Sequence, residues 1–170
     1  ATSNAIAAAI IKFEKEFGKV NLLLAGRQAI DGDTAQVGPQ IAEKFGLPQV
    51  TYVEKFEMTE DRKKVTVHRQ MEDGYEVIEV NTPCMLTTIK ELNEPRYMNI
   101  GGIFAKKDII IWNAADIEVD LATVGLEASP TNVFRSFTPA PKGKGEMIEG
   151  DTEKQIAQKL MIGLKSKHVV

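Results

Sequence analysis

The segment Gly26–Val37, "GRQAIDGDTAQV", combines small residues, an arginine, two carboxylates and the hydrogen-bonding side chains of Gln28, Thr34 and Gln36. Backbone N–H groups at a helix start are unpaired and lie at the positive end of the helix dipole, so they attract phosphate. Small residues let a phosphate approach that backbone closely. Gly32, Thr34 and Ala35 supply them, and the helix is expected to begin near Thr34. Asp33 would cap it, and Thr34 or Gln36 would donate to phosphate oxygens. Asp31 would be repelled by phosphate but could accept hydrogen bonds from ribose hydroxyls. The spacing matches neither G-x-G-x-x-G nor a P-loop. A plain strand-to-helix connection with an aspartate cap therefore accounts for the same residues.

Other candidates for chemistry are weaker. Asp31 and Asp33 sit two apart on a loop and do not form an acid–base pair, and no hydrolytic set is visible, so no catalytic residue is assigned. Cys84, within "CMLTTIK", reads as a core residue. His68 and His168 lack neighbours at ligand spacing, which argues against a metal site. Tyr97 and Trp112 read as packing residues rather than electron relays.

The elements around the loop follow a recognisable order. Ile6, Ile10, Phe13 and Phe17 recur at helical spacing, with Thr2 or Ser3 as a cap and Gly18 as the stop. Val20–Ala25 is a nearly continuous apolar run, as expected of a strand covered on both faces. Ala35–Phe45 reads as a helix closed by Gly46 and Pro48. Helix, strand, loop, helix is the grammar of a parallel α/β sheet. Lys63–Arg69 and Tyr75–Val80 then alternate about the turn residues Glu72–Gly74, predicting an antiparallel hairpin added to that sheet. Cys84–Lys90 reads as a further buried strand, and Glu91–Lys107 as irregular. Ser129–Glu146 carries three of the seven prolines and reads as an extended arm. Thr152 with Gln155 fits a capping box before a last helix lined by Ile156, Leu160 and Leu164.

The 170 residues are 43% hydrophobic and 26% charged, with a net charge of −3, which suits one globular domain. That charge argues against nucleic acid as a partner. No apolar run reaches the length of a membrane span. One cysteine excludes an internal disulfide and fits a cytoplasmic protein. "ATSNAIAAAIIKFEKEFG" opens inside a helical pattern, so an upstream piece is expected to be missing.

Two motifs carry a family resemblance. "AGRQAIDGDTAQVGPQIAEKFGLPQVTYV" resembles the nucleotide-binding segment of electron-transfer flavoprotein β subunits, and "ELNEPRYMNI" resembles the family's partner-recognition loop. The similarity extends over essentially the whole chain. It implies a Rossmann-like, mostly parallel α/β sheet with an added antiparallel hairpin and a C-terminal arm plus helix. Residues 1–128 would form the nucleotide-binding domain, and 129–170 would contact the partner subunit. Roughly the first third of a typical β subunit would lie upstream.

On the matching positions, Gly26, Arg27, Gln28, Ala29, Ile30, Asp31, Gly32, Asp33, Thr34, Ala35, Gln36 and Val37 would wrap an adenine nucleotide. The backbone of Ala35, Gln36 and Val37 and the side chains of Thr34 and Gln36 would take phosphate. Ordinary members hold a structural AMP there; electron-bifurcating members hold a second FAD that accepts hydride from NADH. "SPTNVFRSFTP" (Ser129–Pro139) resembles the bacterial, bifurcating subset. Gly32 stands where many AMP-type relatives carry a third acidic residue. Both favour FAD, with AMP as the alternative. The implied partners are an α subunit and an acyl-CoA dehydrogenase, with NADH and ferredoxin or flavodoxin in a bifurcating setting. Ile100 would insert into the dehydrogenase, with Tyr97 beside it in the contact. A flexible loop presenting an isolated isoleucine beside Gly101 and Gly102 suits such an anchor, although Ile100 packed on its own domain would fit as well. Ala105 and Asp108 replace lysines of many relatives, leaving Lys106 and Lys107. Two other readings use the same residues: a module holding AMP only structurally, and an ATP-using enzyme whose phosphate motif lies upstream.

Overall fold

The computed structural model describes residues 1–105 and 108–170. Lys106 and Lys107, the two lysines expected after the recognition loop, lie outside the described residues. Two compact units are present, Ala1–Asn132 and Val133–Val170.

The first unit is built on a five-stranded sheet in the order β1-β5-β2-β3-β4. Its strands are β1 (Leu22–Gly26), β2 (Gln49–Met58), β3 (Lys64–Met71), β4 (Gly74–Asn81) and β5 (Cys84–Thr88). β5 pairs in parallel with β1 on one side and with β2 on the other. β3 and β4 extend β2 as an antiparallel hairpin, with Met71 opposite Gly74. The parallel sheet with an appended hairpin is thus the sheet expected, its parallel part being three strands wide.

Alternation explains the hairpin. Val65 and Val67 point to one face of β3, and their cross-strand partners Val80 and Ile78 point to the same face of β4. With Val50, Val53, Cys84 and Leu86 they form the core. Cys84 is fully buried, and burial pushes its thiol above the usual range, which suppresses the reactive thiolate.

β1 is narrower in cover than expected. Leu22 packs against the core, but Leu24 is 55% exposed. The exposure of Leu24 means that the prediction of cover on both faces holds only in part, and the strand pairs with β5 alone among the described residues.

Helix α1 (Thr2–Phe17) stops at Gly18, at φ 99°, as expected. Its buried positions are Ser3 and Ala7; of the stripe predicted from Ile6, Ile10, Phe13 and Phe17, only Ile10 is half-buried and the other three are exposed. Helix α1 packs against α2, and the exposed Phe13 and Phe17 rings lie 4.8 Å apart. Neither Thr2 nor Ser3 caps the helix, whose N-cap is Ala1 without a side-chain bond.

Helix α2 (Val37–Phe45) ends at Gly46 in the left-handed conformation, φ 61°, with the Leu47 N–H donating to the Ala42 carbonyl at 3.0 Å. It buries Gly38, Ile41 and Ala42 against the sheet. A Cβ at Gly38 would stand 2.8 Å from Thr87 Cγ2 and 3.2 Å from Met85 Cε, so glycine sets how closely α2 lies on β5. The same packing fixes where the preceding loop can reach.

After β5 the chain makes a short helix, α3 (Ile100–Phe104), and the second unit ends in α4 (Glu153–Ser166). Thr152 caps α4, its hydroxyl accepting from the Gln155 N–H at 3.3 Å, while the Asp151 N–H donates to Gln155 Oε1 at 3.0 Å. The reciprocal pattern is the one expected, with the return bond one residue earlier than in a standard capping box. No residue of this unit is buried; Phe134 is 100% exposed.

Candidate functional site

The loop leaves the sheet at its carboxyl edge. β1 ends at Gly26, directly opposite Thr88, the last residue of β5, whose hydroxyl donates to the Ala25 carbonyl at 3.3 Å. Ligands of open α/β sheets bind in the crevice beyond such strand ends. All the predicted loop residues lie together here, from Gly26 to Val37, and most are exposed, Ile30 at 99%.

The local course differs from the one expected. The helix does not begin near Thr34 but at Val37, with Gln36 as its N-cap and no side-chain capping bond. Asp33 and Ala35 both lie in the left-handed region, at φ 48° and φ 50°. The Asp33 N–H closes a turn onto the Ala29 carbonyl at 3.0 Å, and its carboxylate accepts from the Gln28 side-chain amide instead of capping α2. Aspartate tolerates this conformation; alanine does so at a cost of order 1–3 kcal/mol that surrounding structure must offset. Two left-handed residues in three positions curl the backbone, which breaks the helical path that the composition suggested.

The curl leaves donors free. Among the described residues, the N–H groups of Thr34, Ala35 and Gln36 find no hydrogen-bond acceptor. Pro39, in the first turn of α2, has no N–H to satisfy. Successive backbone N–H groups around left-handed residues form a concave anion site, reinforced here by the start of α2. Gly32 meets nothing within 4 Å of where a Cβ would stand, so the loop keeps room beside its carboxylates. These features fit an anion, and Asp31 is exposed in the same curl.

Arg27, an exposed residue near the start of the loop, lies over Tyr52, its guanidinium carbon 5.4 Å from the centroid of the Tyr52 ring. Tyr52, at φ 58°, sits in an irregularity of β2 where the pairing with β5 shifts register, and its N–H donates to Thr87 Oγ1 at 3.2 Å. The sequence reading missed Tyr52 and Arg69, which the fold brings to the same edge. The signal for Arg69 was available: it continues the Val65, Val67 alternation in register with Glu76.

The second candidate region is exposed and apolar. Tyr97 is 100% exposed and Ile100 75% exposed. Ile100 opens α3 rather than standing isolated on a flexible loop, and Asn99 caps that helix through Oδ1, which accepts from the Gly102 N–H at 2.7 Å. Met98, Ile103 and Phe104 are exposed beside it, so Ile100 belongs to an exposed apolar cluster. The reading of Tyr97 as a packing residue is not met, because no neighbour covers it. Trp112 does pack, with Lys12 Nζ 5.2 Å from its ring centroid. His68 stacks on Tyr75 at 4.6 Å. Among the described residues no group of three or more His, Cys, Asp and Glu side chains could hold a metal ion, and no helix is long and apolar enough to cross a membrane.

Comparison with known proteins adds a second line of evidence. Residues 1–117 match the electron transfer flavoprotein domain family. The chain is 56% identical to subunit CarD of the caffeyl-CoA reductase–Etf complex of Acetobacterium woodii, over the whole chain and 63% of that protein. It is 51% identical to the electron transfer flavoprotein subunit beta of Clostridium acetobutylicum, over the whole chain and 63% of the relative. It is 45% identical to the acryloyl-CoA reductase electron transfer subunit gamma of Anaerotignum propionicum, again along its full length and 64% of the relative. The chain therefore spans somewhat less than two thirds of the curated relatives it matches.

Proposed function

The chain belongs to the electron transfer flavoprotein family, and from that premise we propose that it works as the β subunit of a heterodimer carrying electrons between a CoA-thioester oxidoreductase and other carriers. The observation that carries this reading is the curled loop Gly26–Val37, whose unpaired N–H groups stand at the carboxyl edge of the parallel strands. The loop holds the phosphates of an adenine nucleotide through the backbone of Ala35, Gln36 and Val37 and the side chains of Thr34 and Gln36. Asp31 accepts from the ribose. Residues 1–128 carry this site, and 129–170 supply the contact with the α subunit.

The nucleotide is FAD. Gly32 leaves the loop one carboxylate fewer, which reduces repulsion of a diphosphate, and Ser129–Pro139 resembles the bifurcating subset. The names of the relatives from Acetobacterium woodii and Anaerotignum propionicum, which place them in CoA-thioester reductase systems, support the same direction. Bound flavin supplies hydride and single-electron chemistry. This chain binds it, orients it, and presents Tyr97 and Ile100 to an acyl-CoA dehydrogenase. NADH serves as hydride donor and ferredoxin or flavodoxin as low-potential acceptor, in the cytoplasm. A structural AMP is the second reading, favoured by the absence of a G-x-G-x-x-G spacing. Acid extraction of the full-length heterodimer decides between them. Two FAD and no AMP per heterodimer support the proposal; one FAD with one AMP replaces it by the second reading.

A further inference from the structure

The curl of Gly26–Val37 is held from outside the loop as well as from within. Inside it, the Asp33 N–H donates to the Ala29 carbonyl at 3.0 Å, and the Asp33 carboxylate accepts from the Gln28 side-chain amide. The other end of that amide is engaged too, since Gln28 Oε1 accepts from Arg27 Nε at 3.1 Å. A guanidinium only donates and an ionised carboxylate only accepts, so these two partners fix which way the Gln28 amide points. Arg27 in turn lies over Tyr52, with its guanidinium carbon 5.4 Å from the ring centroid. The ring face attracts a cation at that distance.

Tyr52 is itself held in an unusual place. It lies between Val50 and Val53, where the pairing of β2 with β5 shifts register, and its backbone is left-handed at φ 58°. A bulky residue keeps such a conformation only where its surroundings impose it, and strand irregularities of this kind re-aim side chains. The neighbour that fixes it is Thr87 of β5, 3% exposed, whose hydroxyl accepts from the Tyr52 N–H at 3.2 Å. The methyl of the same threonine is the atom that a Cβ at Gly38 would meet at 2.8 Å. Thr87 thus serves both ends of the loop. Its methyl sets the seat of α2, where the loop finishes, and its hydroxyl holds Tyr52, beside which the loop begins.

We propose that Tyr52 is a positioning residue of the anion loop. Its ring holds Arg27, Arg27 orients the Gln28 amide, and that amide ties Asp33 into the curl that leaves the N–H groups of Thr34, Ala35 and Gln36 free. The inference rests on the nucleotide reading of the loop but not on which nucleotide occupies it, because AMP and FAD both present phosphate to those groups. Its test uses the full-length heterodimer with its α-subunit flavin in place and the β site emptied, titrated calorimetrically with AMP and with FAD. Tyr52→Leu is expected to weaken both by about three- to fivefold, while Tyr52→Phe, which keeps the ring, stays within about twofold of wild type. The sharpest readout is a cycle with Arg27→Met: once Arg27 is gone, Tyr52→Leu should have no further effect. Tyr52→Asn also removes the ring and suits a left-handed backbone, so it remains informative if Tyr52→Leu does not fold. Unchanged affinity in the ringless variants, an equal loss with and without Arg27, or a Tyr52→Phe loss matching that of Tyr52→Leu would overturn the positioning role. Wild-type protein that binds neither AMP nor FAD would instead overturn the nucleotide reading, and the positioning role with it.

Discussion

The two exposed regions of this chain are built oppositely. The loop Gly26–Val37 is polar, curls through two left-handed residues, and ties its own carboxylate to Gln28, leaving backbone donors outward. The segment around α3 is apolar, and its N–H groups at Gly102 and Ile103 donate to the side chain and carbonyl of Asn99, while Ile100 and its neighbours stay exposed. A small anion is recognised by fixed N–H groups; a protein surface is recognised by side chains that fill a pocket. The difference teaches that exposure alone says little. What separates the two regions is which atoms the local hydrogen bonds leave free. Both functions should therefore be separable by substitution.

The largest separation should come from Ile100→Ala in the full-length heterodimer. Loss of a buried interface anchor costs about 1–3 kcal/mol, roughly ten- to a hundredfold in affinity. Electron-transfer kinetics at varied dehydrogenase concentration should show a raised apparent KM, with nucleotide content unchanged. If KM stays put, the anchor is elsewhere in the cluster, at Met98, Ile103 or Phe104.

Gly38→Ala attacks the other region. The new methyl would meet Thr87 Cγ2 at 2.8 Å, so α2 must shift from β5. Overpacking of this kind costs about 1–3 kcal/mol. The melting temperature should fall and nucleotide retention should weaken, while apparent KM for the dehydrogenase is unaffected. A rise in KM together with nucleotide loss would show that the two regions are coupled.

Asn99→Ala should be milder, removing a helix cap of about 1 kcal/mol. Docking should weaken severalfold without change in nucleotide content. Smallest is the pH response of Glu14, whose carboxyl is held below the usual range first by Lys19 and then by the Val20 N–H. Because the folded value is depressed, its contribution to stability is complete above the ordinary carboxylate value. It is lost as pH falls through the depressed one. Melting curves of wild type and Glu14→Gln should therefore converge toward acid, with no difference between them in docking.

Much of this arrangement was legible in the sequence. The alternations at Val65, Val67 and Ile78, Val80, the apolar run Cys84–Leu86, and the stops at Gly18 and Gly46 are local signals that tertiary packing does not contradict. The start of α2 was not legible, since the left-handed turns at Asp33 and Ala35 follow from how the curl closes onto Ala29 and Gln28. The face of α1 was misread because its buried positions are the small residues Ser3 and Ala7, which the apolar periodicity does not mark. At the candidate site, the fold does bring Gly26–Val37 together at the carboxyl end of β1. Tyr52 escaped notice because strand pairing, not sequence distance, brings it beside Arg27.

The central claim is that the curled loop holds a flavin dinucleotide active in electron transfer. Anaerobic titration of the full-length heterodimer with NADH, followed by flavin absorbance in the absence of any dehydrogenase, tests it most directly. Two flavins bleached per heterodimer is the result this account predicts. Bleaching of a single flavin, with AMP retained on the protein, would contradict it.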